Sequence, residues 1–279
     1  MKPKLSIITV CYNNRNGLQK TMKSVVCQTF TDYEYIIIDG GSTDGTVELI
    51  KNVELKIKNV ECRMKNFCWV SEKDNGIYDA MNKGIKMAKG EYCYFLNSDD
   101  CIAAPNTLEK IFAKLNPETD IIYGNLAKQR DDKFCNVIKF SKNITPYSFY
   151  RDKPAIHHQA SFIRRELFEK YGLYSDRARL ISDWIFFFET VFLHKVKTQY
   201  INRVFAIFLS GGESSTGVGI DETHIKEEFI QTYFSEKRIN RYASKKRLHN
   251  TQGIGKTRIL FGKIFGKIFL LIALLKREI

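Results

Sequence analysis

Short apolar runs alternate with helix-like patterns through the first hundred residues of the chain. Three of these runs have the length of a strand, at residues 5–10, 35–38 and 91–96. After the first run, Leu18, Met22 and Val25 recur at helical spacing, and residues 46–51 follow the second run in the same way. Because strands and helices alternate through short loops, the pattern predicts an α/β fold with a mostly parallel sheet and helices on both faces.

The pattern is less regular after residue 101. Before that point, Ile77, Met81 and Ile85 mark a helix that Gly90 is expected to end. Beyond it, we predict strands at 121–123 and 160–163 and helices at 107–115, at 165–171 (stopped by Gly172) and at 183–195. Residues 128–155 resist assignment, so the second half of the chain looks more specialised than the first.

Size and cysteine content set broad limits on the class of protein. With 279 residues, 44% of them hydrophobic, the chain can bury the core of one large domain or of two fused halves. Its seven cysteines are an odd number without a Cys-x-x-Cys pair, which favours reduced thiols and a cytosolic compartment. The apolar N-terminal stretch is short and lacks a small-residue cleavage site, so we interpret it as a strand and not as a signal peptide.

The positive charge of the chain is concentrated in its C-terminal tail, residues 236–279. The formal net charge is +13, and the tail contributes +10 of it through twelve Lys or Arg and two Glu. The longest apolar run of the tail, 268–275, has eight residues, whereas a membrane-spanning helix needs ~20. We therefore expect a basic amphipathic helix on an anionic membrane surface, or one docked on its own domain or on a dimer partner. No nucleic-acid partner is expected, because the charge is confined to this apolar tail.

Acidic residues follow two of the predicted strands. Asp39 follows the second strand, and Asp99 and Asp100 follow the third. Ligands of open α/β sheets bind outside the carboxyl ends of the strands, so these acids are expected at one binding edge. A turn is the alternative, and Thr43 or Asp44 is expected to cap the next helix in either case. The glycine fingerprints of dinucleotide-binding and P-loop proteins are absent from the sequence.

A second polar group lies on the helix that includes Ile77. Asp79, Asn82 and Lys83 fall on adjoining faces of this helix, and Asp74 precedes it. A solvated polar face is the alternative interpretation. The density of polar side chains beside an acidic edge favours a binding role.

Four segments, taken in order, resemble the motifs of the family 2 glycosyltransferases. They are TVCYN at 9–13, IDGGSTDGT at 38–46, EKDNGIYDAMNKG at 72–84 and FLNSDD at 95–100, with looser similarity through 158–162 and 181–184 to about residue 215. The resemblance implies a GT-A-type fold, a nucleotide-binding sheet fused to an acceptor-binding half, and sugar transfer with inversion. Residues 1–235 are then expected to form the glycosyltransferase domain, with the nucleotide-sugar half at 1–100, the acceptor half at 101–235 and the tail at 236–279.

The resemblance also implies which residues hold the donor, a UDP-sugar. Tyr12 would pack on the base and Asp39 would hydrogen-bond to it. The full set of expected nucleotide-sugar-binding residues is Thr9, Tyr12, Asn13, Asp39, Asp74, Asp79, Asn82, Lys83, Asn97 and Ser98.

A divalent cation, Mn²⁺ or Mg²⁺, is expected beside the donor diphosphate. By resemblance, Asp99 takes the metal-binding place of the family's Asp-x-Asp motif, with Asp100 beside it. Such an ion stabilises the charge on the departing diphosphate and relieves the repulsion between the two acids. Asn97 stands where the family usually has the first Asp, which weakens metal binding or shifts it to the other two acids. His158 is a further candidate ligand, and a structural or exposed histidine is the alternative.

Asp183 is the predicted general base that takes the proton of the acceptor hydroxyl. It precedes the apolar run 184–188, where burial is expected to raise its pKa towards the working pH. The resemblance also places the base here, although Ser182 stands where many members have a second acid. The alternative is that Asp183 only caps the helix that follows it.

Together these features predict a metal-dependent inverting hexosyl- or N-acetylhexosaminyltransferase. Its acceptor is expected to be a lipid-linked glycan or a polysaccharide, and its place the cytoplasmic face of the inner or plasma membrane, as a peripheral protein. A homodimer is one option for covering the tail. The alternative function is a catalytically silent nucleotide-sugar-binding scaffold, which the Asn97 departure supports.

Overall fold

The chain alternates strands and helices as far as its fourth strand, in agreement with its apolar pattern. The structure is a computed structural model that describes residues 2–59, 66–130, 133–145, 148–149, 155–175, 181–209 and 223–234. The first elements are β1 (Leu5–Cys11), α1 (Arg15–Val26), β2 (Tyr33–Asp39), α2 (Thr46–Asn59), β3 (Asn66–Ser71), α3 (Ile77–Met87) and β4 (Tyr92–Phe95).

The second half is built from shorter helices and two longer strands. Its elements are β5 (Cys101–Ile102), α4 (Thr107–Phe112), β6 (Ile121–Arg130), β7 (Lys133–Ile138), a 3-10 turn (His158–Ala160), β8 (Ser161–Arg164), α5 (Glu166–Tyr171), α6 (Ser182–Phe188), β9 (Thr198–Leu209) and α7 (Thr223–Tyr233). The predicted helix at 183–195 is therefore only partly right, because α6 passes into a π-helical turn at Glu189–Leu193.

The described strands form one nine-stranded sheet in the order β3-β2-β1-β4-β8-β6-β9-β5, with β7 paired to β6. β1 lies parallel to β2 and β4, and β2 lies parallel to β3. β8 then pairs antiparallel with both β4 and β6 and so joins the two halves of the chain. The carboxyl ends of β1 to β4 consequently share one edge, and the second half continues the sheet beside it.

The core of the parallel half forms because most residues of its strands are apolar. Every residue of β1, β2 and β4 is buried, as expected for strands covered on both faces. The prediction that Gly90 ends α3 is wrong, because the helix already ends at Met87, with Ala88 extended. Gly90 instead passes close to β1, where an added Cβ would lie 2.5 Å from the backbone nitrogen of Ser6.

The core of the second half is largely aromatic. Phe149 meets Trp184, Phe188 and Phe192 edge-on, with ring centroids 5.1–5.9 Å apart. Phe229 of α7 packs on the same group. This aromatic cluster buries Trp184 and Phe188 of α6, and Asp183, in the first turn of that helix, is partly buried.

None of the helices in the described ranges is long and apolar enough to cross a membrane. The tail, residues 236–279, lies outside the described residues. Its predicted amphipathic helix therefore stays a prediction.

Candidate functional site

The strand ends of the parallel half form a continuous rim of polar groups. Cys11, Asp39 and Ser71 are register partners at the ends of β1, β2 and β3. β4 ends one strand further along and leads into residues 96–100. The acids expected to share one edge of the sheet do share it.

Asp39 is fully buried and holds the loop that follows β2. Its Oδ2 accepts hydrogen bonds from Ser71 Oγ (2.6 Å), Ser42 N (2.9 Å) and Gly41 N (3.2 Å), and its Oδ1 accepts one from Ser42 Oγ (2.5 Å). The thiol of Cys11 lies 3.6 Å from Oδ1. Both carboxylate oxygens of Asp39 are thus bonded to groups of the protein itself. A direct contact of Asp39 with the nucleobase of the donor stays a prediction.

Asp74 and Tyr12 lie together above the next residue of that loop. An added Cβ at Gly40 would lie 2.6 Å from Asp74 Oδ2 and 3.2 Å from the Tyr12 ring, so glycine is needed for their close approach. Asp74 Oδ1 accepts from Gly76 N (2.9 Å). Tyr12 is 65% exposed, which is unusual for a large aromatic residue beside a core and suits stacking on a flat ligand.

Asn13 and Thr9 have different surroundings. Asn13 spans the rim, since its N–H donates to Ser42 Oγ (2.7 Å) and its Oδ1 accepts from Thr43 N (2.8 Å). Thr9 is buried, and its hydroxyl accepts from Tyr35 OH (3.1 Å). Asp44 Oδ1 accepts from the N–H of Thr46 (3.1 Å), the first residue of α2, and the capping of that helix by Thr43 or Asp44 stays a prediction.

The turn after β4 directs its two acids to different partners. Asp99 has a φ of +81°, uncommon for a residue with a side chain, and its Oδ2 accepts from Asn14 Nδ2 (2.7 Å). Ser98 Oγ accepts from the same amide (3.2 Å). Asp100 is buried, and its Oδ2 accepts from Gln159 Nε2 (3.1 Å). Burial raises the pKa of Asp100 to about 7, although the bond from Gln159 opposes this.

The chemistry of this turn fits a divalent cation bound together with a phosphate ligand. Among the residues the structure describes, no group of three or more His, Cys, Asp or Glu side chains is arranged to hold a metal ion. Magnesium in nucleotide sites is commonly held by one or two carboxylates and by the phosphates themselves, which Asp99 and Asp100 satisfy. The amide oxygens of Asn97 and Gln159 are buried and have no hydrogen-bond partner within the described part of the chain, and each residue is bonded to Asp100 through another atom.

Asp183 lies in the first turn of α6, connected to the β4 end through His158. Its Oδ2 is 2.7 Å from His158 Nδ1, and its Oδ1 accepts from Tyr78 OH (2.7 Å) and from its neighbour's N–H, Trp184 N (2.8 Å). His158 Nε2 lies 3.3 Å from Asn97 Nδ2. The helix cap is Ile181, so the alternative that Asp183 is the N-cap is wrong.

The expected rise in the pKa of Asp183 is also wrong. Burial does raise this pKa, but the hydrogen bond and charge of His158 and the hydrogen bond of Tyr78 outweigh it and lower the pKa below the usual range. Asp183 is therefore a carboxylate at any working pH. Both ring nitrogens of His158 have protein partners, and its role as a metal ligand stays a prediction.

The polar residues of α3 contact other parts of the protein. Asn82 bonds the backbone of Tyr174 twice. Lys83 Nζ lies 2.9 Å from both Glu72 Oε1 and the Lys73 carbonyl oxygen. Asp79 Oδ2 accepts from Asn75 N (3.0 Å). These contacts shape the segment around α3, and a direct contact of these residues with the donor stays a prediction.

Sequence reasoning missed several groups of this site. Ser42, Ser71 and Tyr78 bond to its acids, and Gln159 binds Asp100. Tyr78 lies inside a motif that the sequence singled out, so its position was a usable signal. Ser42 also lies inside such a motif, at 38–46, whereas Ser71 lies just outside the motif at 72–84.

Comparison with known proteins gives a consistent result. The profile of "Glycosyl transferase family 2" matches residues 6–172. A "PGL/p-HBAD biosynthesis glycosyltransferase" of Mycobacterium bovis is 29% identical over 238 residues, covering 82% of this chain and 83% of that protein. An uncharacterized glycosyltransferase of Mycobacterium tuberculosis is 33% identical over 177 residues, covering 62% and 63%.

Solved structures share the fold at low sequence identity. TarS of S. aureus superposes with a TM-score of 0.64 at 17% identity. The match covers 88% of this chain and 43% of the TarS chain. Its fragment 1–349 in complex with UDP-GlcNAc gives 0.62 at 16% identity, covering 89% and 73%. The mannosyltransferase PcManGT of Pyrobaculum calidifontis, in complex with GDP-Man and Mn²⁺, gives 0.59 at 14% identity, covering 100% and 81%. The chain has the mixed α/β architecture of GT-A glycosyltransferases, and it belongs to glycosyl transferase family 2.

Proposed function

We propose that this glycosyltransferase transfers a hexosyl or N-acetylhexosaminyl group from a UDP-sugar to a hydroxyl group, with inversion at the anomeric carbon. The observation that carries the proposal is the connection from Asn97 through His158 to Asp183, at 3.3 and 2.7 Å. It links the strand end expected to hold the donor diphosphate to the expected base. A single displacement requires donor and base to be this close.

The nucleoside is expected at Tyr12 and Asp74. Because Asp39 is already saturated by Ser42, Ser71 and Gly41, we assign base recognition to the Oδ2 of Asp74. A carboxylate only accepts hydrogen bonds, so it selects a base that offers a ring N–H, as uracil does. The exposed Tyr12 ring supplies the stacking surface.

The diphosphate is expected at the turn that carries Asp99 and Asp100. A divalent cation held there with the substrate's phosphates would neutralise the charge that develops as the sugar bond breaks. The protein's own contribution is to fix the two carboxylates, through Asn14 and Gln159. Mn²⁺ or Mg²⁺ is the proposed ion.

Asp183 is the proposed acceptor of the hydroxyl proton. Each carboxylate oxygen has two lone pairs, so Oδ2 can accept from the incoming hydroxyl while it keeps its bond to His158. The low pKa makes Asp183 a weak base. Its contribution depends on its location beside the acceptor hydroxyl. The hydroxyl proton becomes more acidic as the hydroxyl oxygen bonds to the anomeric carbon, and Asp183 takes it at that stage.

The acceptor is proposed to be a lipid-linked glycan or polysaccharide, used at the cytoplasmic face of the inner or plasma membrane. The relative named for PGL/p-HBAD biosynthesis supports this class of acceptor. The +10 charge and apolar residues of the tail support peripheral binding to anionic lipid. Deletion of residues 236–279 should release the protein from anionic vesicles and leave donor hydrolysis intact. Continued sedimentation with such vesicles would contradict the anchor and favour the alternative, a tail docked on its own domain or on a dimer partner.

Incubation with Mn²⁺ and a panel of nucleotide sugars tests the function. We expect slow release of UDP from one UDP-sugar, faster release with acceptor, and a product of inverted anomeric configuration by NMR. Asp99→Ala should abolish release, whereas Glu118→Ala, at an exposed acid paired with Lys197, should not. Tight UDP binding without any turnover would instead identify the silent scaffold.

A further inference from the structure

One face of α3 contacts Tyr174 and Asp183. Tyr78 and Asn82 are four residues apart and therefore share this face. Asn82 donates through Nδ2 to the Tyr174 carbonyl oxygen (2.8 Å) and accepts from Tyr174 N at Oδ1 (3.0 Å). One turn away, Tyr78 OH donates to Asp183 Oδ1 (2.7 Å). The helix thus bonds to two residues of the second half of the chain.

We propose that Tyr78 is a positioning residue that fixes the Asp183 carboxylate for proton transfer from the acceptor. The inference rests on the proposed function, in which Asp183 is the base. Asp183 has one oxygen bonded to Tyr78 and the other to His158. With both oxygens held, rotation of the carboxylate would break at least one short bond, so its lone pairs keep a fixed direction.

Tyr78 is suited to this role over the whole working pH range. Its side chain is buried, and burial together with the nearby charge of Asp183 raises its pKa well above the usual value. The hydroxyl therefore stays protonated and donates. Hydrogen bonds from a neutral donor to a carboxylate are shorter and stronger than those between neutral groups.

The same helix start also reaches the proposed donor site. Tyr78 is the second residue of α3, and the turn before it is closed by the bonds Gly76 N to Asp74 Oδ1 and Asn75 N to Asp79 Oδ2. Asp74 is the residue that we propose hydrogen-bonds to the uracil ring of the donor. Donor recognition and orientation of Asp183 therefore depend on one short hydrogen-bonded turn.

Tyr78→Phe removes only the hydroxyl group, and Tyr174→Phe is a matched control. The two rings are neighbours, with centroids 5.3 Å apart, and both side chains are buried. The Tyr174 hydroxyl is buried and has no hydrogen-bond partner among the residues that the structure describes. Each variant thus loses one buried oxygen from the same aromatic cluster, but only the first loses a bond to Asp183.

The experiment measures kcat and KM for the UDP-sugar, UDP affinity and thermal unfolding for the full-length wild type and both variants. For Tyr78→Phe we expect kcat to fall about tenfold or more while KM and UDP affinity stay within about twofold, because a transition-state interaction is lost. Tyr174→Phe should leave kcat, KM and UDP affinity unchanged. Unchanged kcat in Tyr78→Phe, equal losses in both variants, or a parallel loss of UDP affinity would overturn the positioning role. A wild type that turns over no nucleotide sugar would overturn the proposed function itself.

Discussion

Replacing Asp183 with Asn tests the base assignment through one change of charge. In the variant, one of the two carboxylate oxygens is replaced by an amide NH₂ group, which cannot accept a hydrogen bond. Either this group faces His158 Nδ1, 2.7 Å away in the wild type, or it faces Tyr78 and leaves that hydroxyl without its acceptor. A carboxylate only accepts, so Nδ1 must carry the proton in the wild type. If the new amide N–H faces His158 Nδ1, two donors meet. The imidazole of His158 must then move its proton from Nδ1 to Nε2, which disturbs the contact of Nε2 with Asn97.

The expected loss of activity is large and the expected loss of stability modest. Removal of a general base costs about 10²–10⁴ in rate, or about 3–5 kcal/mol of transition-state stabilisation. Hydrogen bonds to charged groups contribute about 1.5–3 kcal/mol each, but burying the charge opposes this, so we expect a net destabilisation of about 1–3 kcal/mol.

The pH dependence of stability gives a second readout for Asp183→Asn. The folded pKa of Asp183 is lowered, so its contribution to stability is fully present above its unfolded pKa of about 4 and is lost as the pH falls through the folded value. The variant should lack this loss. The assays are UDP release with acceptor and urea unfolding at several pH values. Activity within about tenfold of wild type would refute the base assignment, since it is below the range for a general base.

Three further substitutions follow from the packing. Gly17→Ala would place a Cβ 2.5 Å from Asp99 Cγ and should lower kcat/KM about tenfold or more by moving that carboxylate, with unchanged kinetics contradicting the close approach. Gly124→Ala would place a Cβ 2.2 Å from the Phe205 ring and should lower the free energy of unfolding by about 1–3 kcal/mol, as measured in urea. An unchanged free energy of unfolding would contradict the tight packing of this ring. Burial lowers the pKa of His157 from 6.5 to about 4, so its own contribution to stability should fall by up to about 3 kcal/mol as the pH drops through this window, whereas Asp100, whose pKa burial raises to about 7, contributes in the opposite direction. The stability of His157→Phe relative to wild type should therefore rise by up to about 3 kcal/mol over the same pH range in urea unfolding, and a difference that does not change with pH would contradict this contribution.

The parallel half of the fold was predictable because its strands are buried on both faces. Most residues of β1, β2 and β4 are apolar and lie in short runs, which mark these strands in the sequence. β3 was missed although residues 67–70 are apolar; the strand lies at the edge of the sheet, and each of its residues is at least partly exposed. β9 was not delimited either, because polar residues are scattered through its twelve positions.

The candidate site was predictable in its location but not in its contacts. The order of the motifs indicated that Asp39, Asp99 and Asp183 belong to one site. The sequence could not reveal that Ser42 and Ser71 saturate Asp39, since these bonds depend on the loop conformation. The direction of the pKa change at Asp183 was wrong for the same reason, because two partners from distant parts of the chain outweigh burial.

A crystal structure of the protein with UDP and Mn²⁺ tests the central claim most directly. We predict uracil on the Tyr12 ring with its N–H directed at Asp74, the diphosphate and Mn²⁺ at Asp99 and Asp100, and the Asp183 carboxylate facing the space beyond the terminal phosphate. UDP bound away from the ends of β1, β2 and β4, or a diphosphate that contacts neither acid, would contradict the account.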